Sequence, residues 1–151
     1  MAALLLVEDD RSAQAVFSAA VDRVNQEMHN KLNCVNTIEE AKEVLEGADI
    51  LIVDLSLPDS NPQDTMDFVR KTCATKPVIV FSGTHDQSII AECGKLGVGF
   101  ITKACFNCGQ VDRLFVELIR AQGALAGKRE RRELLVDSAK ALGIDYCDTA
   151  K

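Results

Sequence analysis

Five short apolar runs recur along the chain, each followed by a stretch with helical spacing, and this alternation limits the fold more than any other feature. The runs fall at residues 4–7, 32–35, 50–53, 78–81 and 99–102. Runs of this length, bounded by turn residues, read as strands. The run at 50–53 is aliphatic throughout, as expected of a strand covered on both faces. Strand and helix in strict alternation predict an open parallel sheet wound on both sides. In such a sheet ligands bind beyond the carboxyl ends of the strands, where strand order reverses.

The intervening segments carry their own signals. Val16, Phe17, Ala20, Val21 and Val24 recur at helical spacing within 12–25. Thr37 with Glu40 reads as a capping box opening a helix through Leu45, with Gly47 placed to end it. A turn-rich segment at 58–62 leads into a helix carrying Met66, Phe68 and Val69, and residues 87–95 form a short helix. The clearest period is Val111, Leu114, Phe115, Leu118 and Ile119, with Asn107 and Gln110 as cap and N3 residues. Residues 1–122 complete the five-unit plan, and 123–151 form a helical extension and tail. There Gly123 and Gly127 are expected to break or bend the chain, and Leu134, Leu135, Ala139 and Leu142 make a weaker apolar stripe. That stripe packs on its own domain or on a second copy, or else begins a linker.

A net charge of -6 argues against a general nucleic-acid surface, which needs a basic face. The charged run at 128–133 is interrupted by Glu130 and Glu133 and reads as a solvated helix face. No apolar run is long enough to span a membrane, and the one at 2–7 is too short for a signal-peptide core, so the cytoplasm is expected. The cysteines are scattered, which suits reduced thiols used as small apolar residues. Cys105 and Cys108 form a CxxC, which fits either packing or a redox or metal role; they are expected to be reduced and metal-free.

The polar residues that close the strands converge. Glu8 and Asp9 follow the first run, Asp54 the third, Ser82 the fourth and Lys103 the fifth. Carboxylates crowded into one crevice repel unless cations join them, and a hard divalent ion such as magnesium, with the Lys103 ammonium, balances the charge. A carboxylate nucleophile, a metal, a lysine and a hydroxyl together are the parts of a phosphoryl-transfer site. Asp10 reads as a first-turn helix residue favoured by the dipole.

The strings LLLVEDD, LIVDLSLPDS, VIVFSGT and GFITK resemble the four signature segments of response-regulator receiver domains, in that family's order and approximate spacing, over residues 3–121. The resemblance implies an α/β fold with a doubly wound, five-stranded parallel sheet, flavodoxin-like in order 2-1-3-4-5, here with an extra C-terminal helix. It implies that Asp54 is the phosphoacceptor and that Asp9 and Glu8 bind Mg2+ together with Asp54 and the Ser56 backbone carbonyl. Ser82 takes the place of the switch hydroxyl and Lys103 that of the lysine gripping the phosphoryl group. Phe100 stands at the switch aromatic position, where a plain core aromatic is an equal reading. The implied partners are a sensor histidine kinase or phosphotransfer protein and a downstream target protein, with a homodimer possible. The implied activity is that of a switch with at most slow self-dephosphorylation, working alone or as the amino-terminal piece of a longer regulator. An aspartate-nucleophile phosphohydrolase fits less well, because no acid lies two residues beyond Asp54; a degenerate receiver acting only as a binding module would lack some of these residues.

Three departures from the family pattern stand out. Ala104 replaces the proline that usually follows the lysine, so a trans Lys103–Ala104 bond is expected. The segment PDSNPQD lacks the glycine usual in that turn, which leaves the loop's shape open. Residues beyond 122 have no counterpart.

Overall fold

A computed structural model of the chain describes residues 2–26, 28–83, 86–103 and 112–126. The strands are β1 (Ala2–Val7), β2 (Asn30–Val35), β3 (Ile50–Val53), β4 (Val78–Ser82) and β5 (Gly99–Thr102). The helices are α1 (Arg11–Val24), α2 (Ile38–Val44), α3 (Pro62–Cys73), α4 (Gln87–Leu96) and α5 (Asp112–Ala126). All strand pairs are parallel, in the order β2-β1-β3-β4-β5. The expected doubly wound sheet is therefore the observed one.

Side chains of successive strand residues point to opposite faces, and the core divides accordingly. Leu4, Leu6, Ile50, Ile52, Ile79 and Phe81 face α1 and α5, whereas Leu5, Val7, Leu51, Val53, Val78 and Val80 face α2, α3 and α4. Phe17 of α1 meets Phe81 edge to face, with ring centroids 5.2 Å apart. Every residue of β3 is buried, which explains its unbroken aliphatic run.

Three local expectations are corrected. Val16 is 41% exposed, because at 100° per residue it lies about a quarter turn from the centre of the Phe17, Ala20, Val21 and Val24 stripe. Thr37 caps α2 by accepting from Glu40 N–H, but the Glu40 carboxylate reaches back to Asn36 N–H, so the capping box is completed one residue early. Gly47 is not a left-handed cap: α2 tightens into a 3-10 turn at Leu45–Gly47, and Lys76 Nζ donates to the Leu45 and Ala48 carbonyls there. Gly97, which ends α4 at φ 71°, is the one residue with positive φ among those described.

Nor does Gly123 break α5. The helix runs through it to Ala126, so the expected boundary between 122 and 123 falls inside a helix. Leu114, Leu118, Ile119 and Ala121 are buried along its core face, and Gln122 Nε2 donates to Asn30 Oδ1 at 2.7 Å. Such packing outweighs the roughly 1 kcal/mol by which an internal Gly weakens a helix. Gly127, the tail stripe, the Lys103–Ala104 bond, Cys105, Cys108, Asn107, Gln110 and Val111 lie outside the described residues.

Candidate functional site at the carboxyl edge of the sheet

The register of the parallel strands assembles the site. Val7 lies opposite Val53, and Ser82 opposite Thr102. The ladder then extends one rung: Asp54 N–H donates to Val7 O, Glu8 N–H to Val35 O and Lys103 N–H to Ser82 O, each at 3.0 Å. Glu8, Asp54, Ser82 and Lys103 are thereby carried to one edge by backbone pairing alone.

There the charges gather. Glu8, Asp9 and Asp54 each place a carboxylate oxygen within 4.8 Å of the others. Lys103 Nζ stands 2.7 Å from Glu8 Oε2 and 3.0 Å from Asp54 Oδ2. It also lies 5.6 Å from the centre of the Phe81 ring, a cation–π contact with no local signature among the residues around either partner. Glu8 and Asp54 are almost fully buried, whereas Asp9 is exposed.

Burial pushes the Glu8 carboxyl above the usual glutamate range, opposed by the Lys103 ammonium and the Asp10 N–H, with the Asp54 charge adding to the rise. Burial works against the Lys103 ammonium as well, but its contacts with Glu8 and Asp54 prevail and hold its pKa above the ordinary value. Glu8 Oε2 is held by the Lys103 ammonium at 2.7 Å.

Neighbouring residues divide the labour. Asp10 is the N-cap of α1 rather than a first-turn residue: its Oδ1 accepts from Ser12 N–H at 2.8 Å and from Ala13 N–H at 3.4 Å. That duty turns Asp10 to the helix and leaves Asp9 to the cluster. Ser56 N–H donates to Asp54 Oδ1 at 3.2 Å. Ser82 is buried at the end of β4, and Phe100 on β5 is half-buried against the core beneath α2, α3 and α4. Gln14, which sequence reasoning missed, donates through Nε2 both to the Glu8 carbonyl and to Asn36 Oδ1.

No family model and no curated protein matches the chain. Solved structures do. The non-phosphorylated HemR receiver domain from Leptospira biflexa aligns with a TM-score of 0.62 at 23% identity, covering 80% of this chain and 94% of that one. The phosphorylated cyanobacterial phytochrome response regulator RcpA gives 0.65 at 19% identity, over 82% of this chain and 95% of that one. The Mn2+-bound form of response regulator Rcp1 gives 0.53 at 18% identity, over 68% and 81%.

The fold is that of a receiver domain. Asp54 directly follows the central strand, with the acidic pair after β1 and the lysine after β5 beside it. No helix among the described residues is long and apolar enough to cross a membrane.

Proposed function

We propose that the chain is a phosphoacceptor signalling switch of a two-component relay, working in the cytoplasm, with Asp54 as the residue that takes the phosphoryl group. The observation that carries this reading is the convergence of Glu8, Asp9 and Lys103 on the Asp54 carboxylate at the end of the middle strand.

With one lysine against three carboxylates, the cluster keeps an excess of negative charge that a hard divalent cation relieves. Glu8, Asp9 and Asp54 would hold Mg2+, with the Ser56 backbone carbonyl, and the ion supplies neutralisation of phosphoryl oxygens. The donor set fits, since it is all oxygen and one carboxylate oxygen from each of the three residues lies within 4.8 Å of the others. An Asp54 oxygen attacks phosphorus, and the bond from phosphorus to the donor breaks. With a phosphohistidine donor that is a P–N bond, and the departing imidazole keeps the electron pair and takes a proton. Lys103, already on Asp54 Oδ2, stays beside the new acyl phosphate as its counter-charge. Ser82 and Phe100 then change position and alter what the domain binds. The donor is a sensor histidine kinase or phosphotransfer protein, the recipient of the signal is another protein, and self-dephosphorylation is slow.

The test is incubation with acetyl phosphate, with Mg2+ or with EDTA. Wild type should gain one acid- and base-labile phosphoryl group only with Mg2+, and Asp54→Asn none. Undiminished labelling of the variant refutes the assignment.

A further inference from the structure

The segment from Asp54 to Asn61 carries both the nucleophile and Ser56, yet it holds no glycine, and no residue in it has positive φ. Its course is set by anchors instead. Leu55 and Leu57 are buried in the core beneath α2 and α3. Leu57 and Ser60 form an isolated bridge, with Pro58 and Asp59 at the corner between them. Proline's fixed φ suits the first corner position, and a turn of negative φ needs no glycine at the second. Ser60 Oγ lies 2.8 Å from Thr65 Oγ1, and Asn61 caps α3 through Asp64 N–H.

Asp59 supplies the remaining anchor, and it reaches outside the segment. Its Oδ1 accepts from Ile38 N–H at 3.2 Å and its Oδ2 from Glu39 N–H at 3.3 Å. Thr37 Oγ1 takes Glu40 N–H, and Ala41 N–H reaches Thr37 O. The amides of Ile38, Glu39 and Glu40 are thus filled by two side chains, the helix's own N-cap and Asp59 of the phosphoacceptor segment. Helix α2 is itself fixed by buried Ile38 and Ala41. Asn36, just ahead of it, accepts from Gln14, which also donates to the Glu8 carbonyl. A continuous polar brace therefore runs from the backbone of Glu8, through Gln14, Asn36 and the start of α2, to Asp59 and the phosphoacceptor segment.

We propose that Asp59 is a positioning residue: by gripping the amides of Ile38 and Glu39 it holds the Asp54–Ser56 segment at the spacing from Glu8 and Asp9 that cation binding requires. The inference rests on the reading of that cluster as a magnesium site. Asp59 is itself exposed, so its removal takes little from the core while freeing the one loop that carries two donors.

The experiment titrates MgCl2 into the 15N-labelled full chain and follows the backbone amides of Asp54 and Ser56, with no phosphodonor present. Asp59→Ala should raise half-saturating magnesium by about ten-fold, the lower end for groups that orient metal ligands. Its melting temperature should move only slightly, and the Ile38 and Glu39 amides should exchange faster. Asp59→Asn, which keeps one accepting oxygen, should recover part of the affinity. Thr37→Ala weakens the cap of the same helix without touching the segment, and should leave magnesium affinity unchanged. Unchanged affinity in both Asp59 variants, or an equal loss in Thr37→Ala, overturns the proposal. A wild-type chain that binds no magnesium overturns it together with the cluster reading. Magnesium binding without labelling by acetyl phosphate refutes the function proposed above alone, and the titration still decides the role of Asp59.

Discussion

Asp54→Asn should stabilise the metal-free protein, although it removes an ion pair. One oxygen from each of Glu8, Asp9 and Asp54 lies within 4.8 Å of the others. At an effective dielectric near 20, each such pair of charges repels by about 3.5 kcal/mol, so Asp54 brings roughly 7 kcal/mol of repulsion. Its attraction for Lys103 at 3.0 Å is about 5.5 kcal/mol on the same footing. Asp9 is exposed, so solvent damps its share, and the Coulomb contributions come close to cancelling. Burial then decides the sign. Asp54 is 1% exposed, and holding a charge there costs on the order of several kcal/mol, of which the neutral amide is relieved. Lys103 is not orphaned, because Glu8 remains 2.7 Å away, and the amide oxygen can still accept from Ser56 N–H. The buried amide keeps its own cost of roughly 1–3 kcal/mol, so a net gain of about 1–2 kcal/mol remains, which for a chain of this size raises the melting temperature by about 3–6 °C.

The assay is thermal and urea unfolding followed by circular dichroism, in EDTA and in MgCl2. Magnesium should reverse the order, since an ion at 100 times its Kd stabilises wild type by about 2.7 kcal/mol and has lost a ligand in the variant. The pH dependence follows from Glu8. Its folded pKa is raised, first by burial, so the folded chain binds that proton more readily than the unfolded one. The stabilisation is complete below the ordinary glutamate pKa and is lost as pH rises through the raised value. Metal-free wild type should therefore weaken across that window, and Asp54→Asn less steeply, because one of the charges raising Glu8 is gone. A variant less stable than wild type in EDTA would show that the Lys103 pair outweighs repulsion and burial, and the reasoning would be wrong.

Gly97→Ala should cost about 1–2 kcal/mol in urea unfolding, because φ is 71° there while a Cβ would meet no atom within 4 Å, leaving backbone conformation as the cause. Cys93 is fully buried, and burial, with the Glu92 charge, pushes its thiol from 9.0 to about 11. Its contribution is intact below pH 9 and lost as pH rises through 11, roughly 2–3 kcal/mol in all, a loss that Cys93→Ala should remove. In the native protein an alkylating reagent should modify exposed Cys34 and spare Cys93 until unfolding.

Much of the fold could be read because its signals are local and strong. The strands that lie inside the sheet are dominated by continuous apolar runs, and β3 begins and ends where its run does. Edge strand β2 is longer than its apolar run: it starts at Asn30, a polar residue that pairs with Ala2 and is held by Asn25 and Gln122. Those partners are distant or side-chain contacts that no periodicity encodes. The site residues were legible for a different reason. Once strands are parallel and in register, whatever follows each run must meet at the same edge. Gly97 had a signature, a glycine directly after a helical segment with Lys95 in its last turn. Gln14 and Asp59 had none, since each acts through a partner more than twenty residues away.

The balance of forces at the carboxyl edge separates what holds the fold from what the fold holds. Leu6, Ile52, Val53 and Phe81, next to the site along their strands, are buried and packed on both faces of the sheet. Beyond them come three carboxylates around one lysine, an arrangement that without a cation opposes folding through repulsion and the burial of charge. Backbone pairing forces Glu8 and Asp54 together whatever their side chains are, so apolar or amide residues at those positions would serve the sheet at least as well. The brace through Gln14, Asn36 and Asp59 adds hydrogen bonds that fix the spacing of these charges rather than relieve it. A local arrangement that works against stability, yet is held in place by so many independent contacts, is expected where an external ligand completes the charge balance.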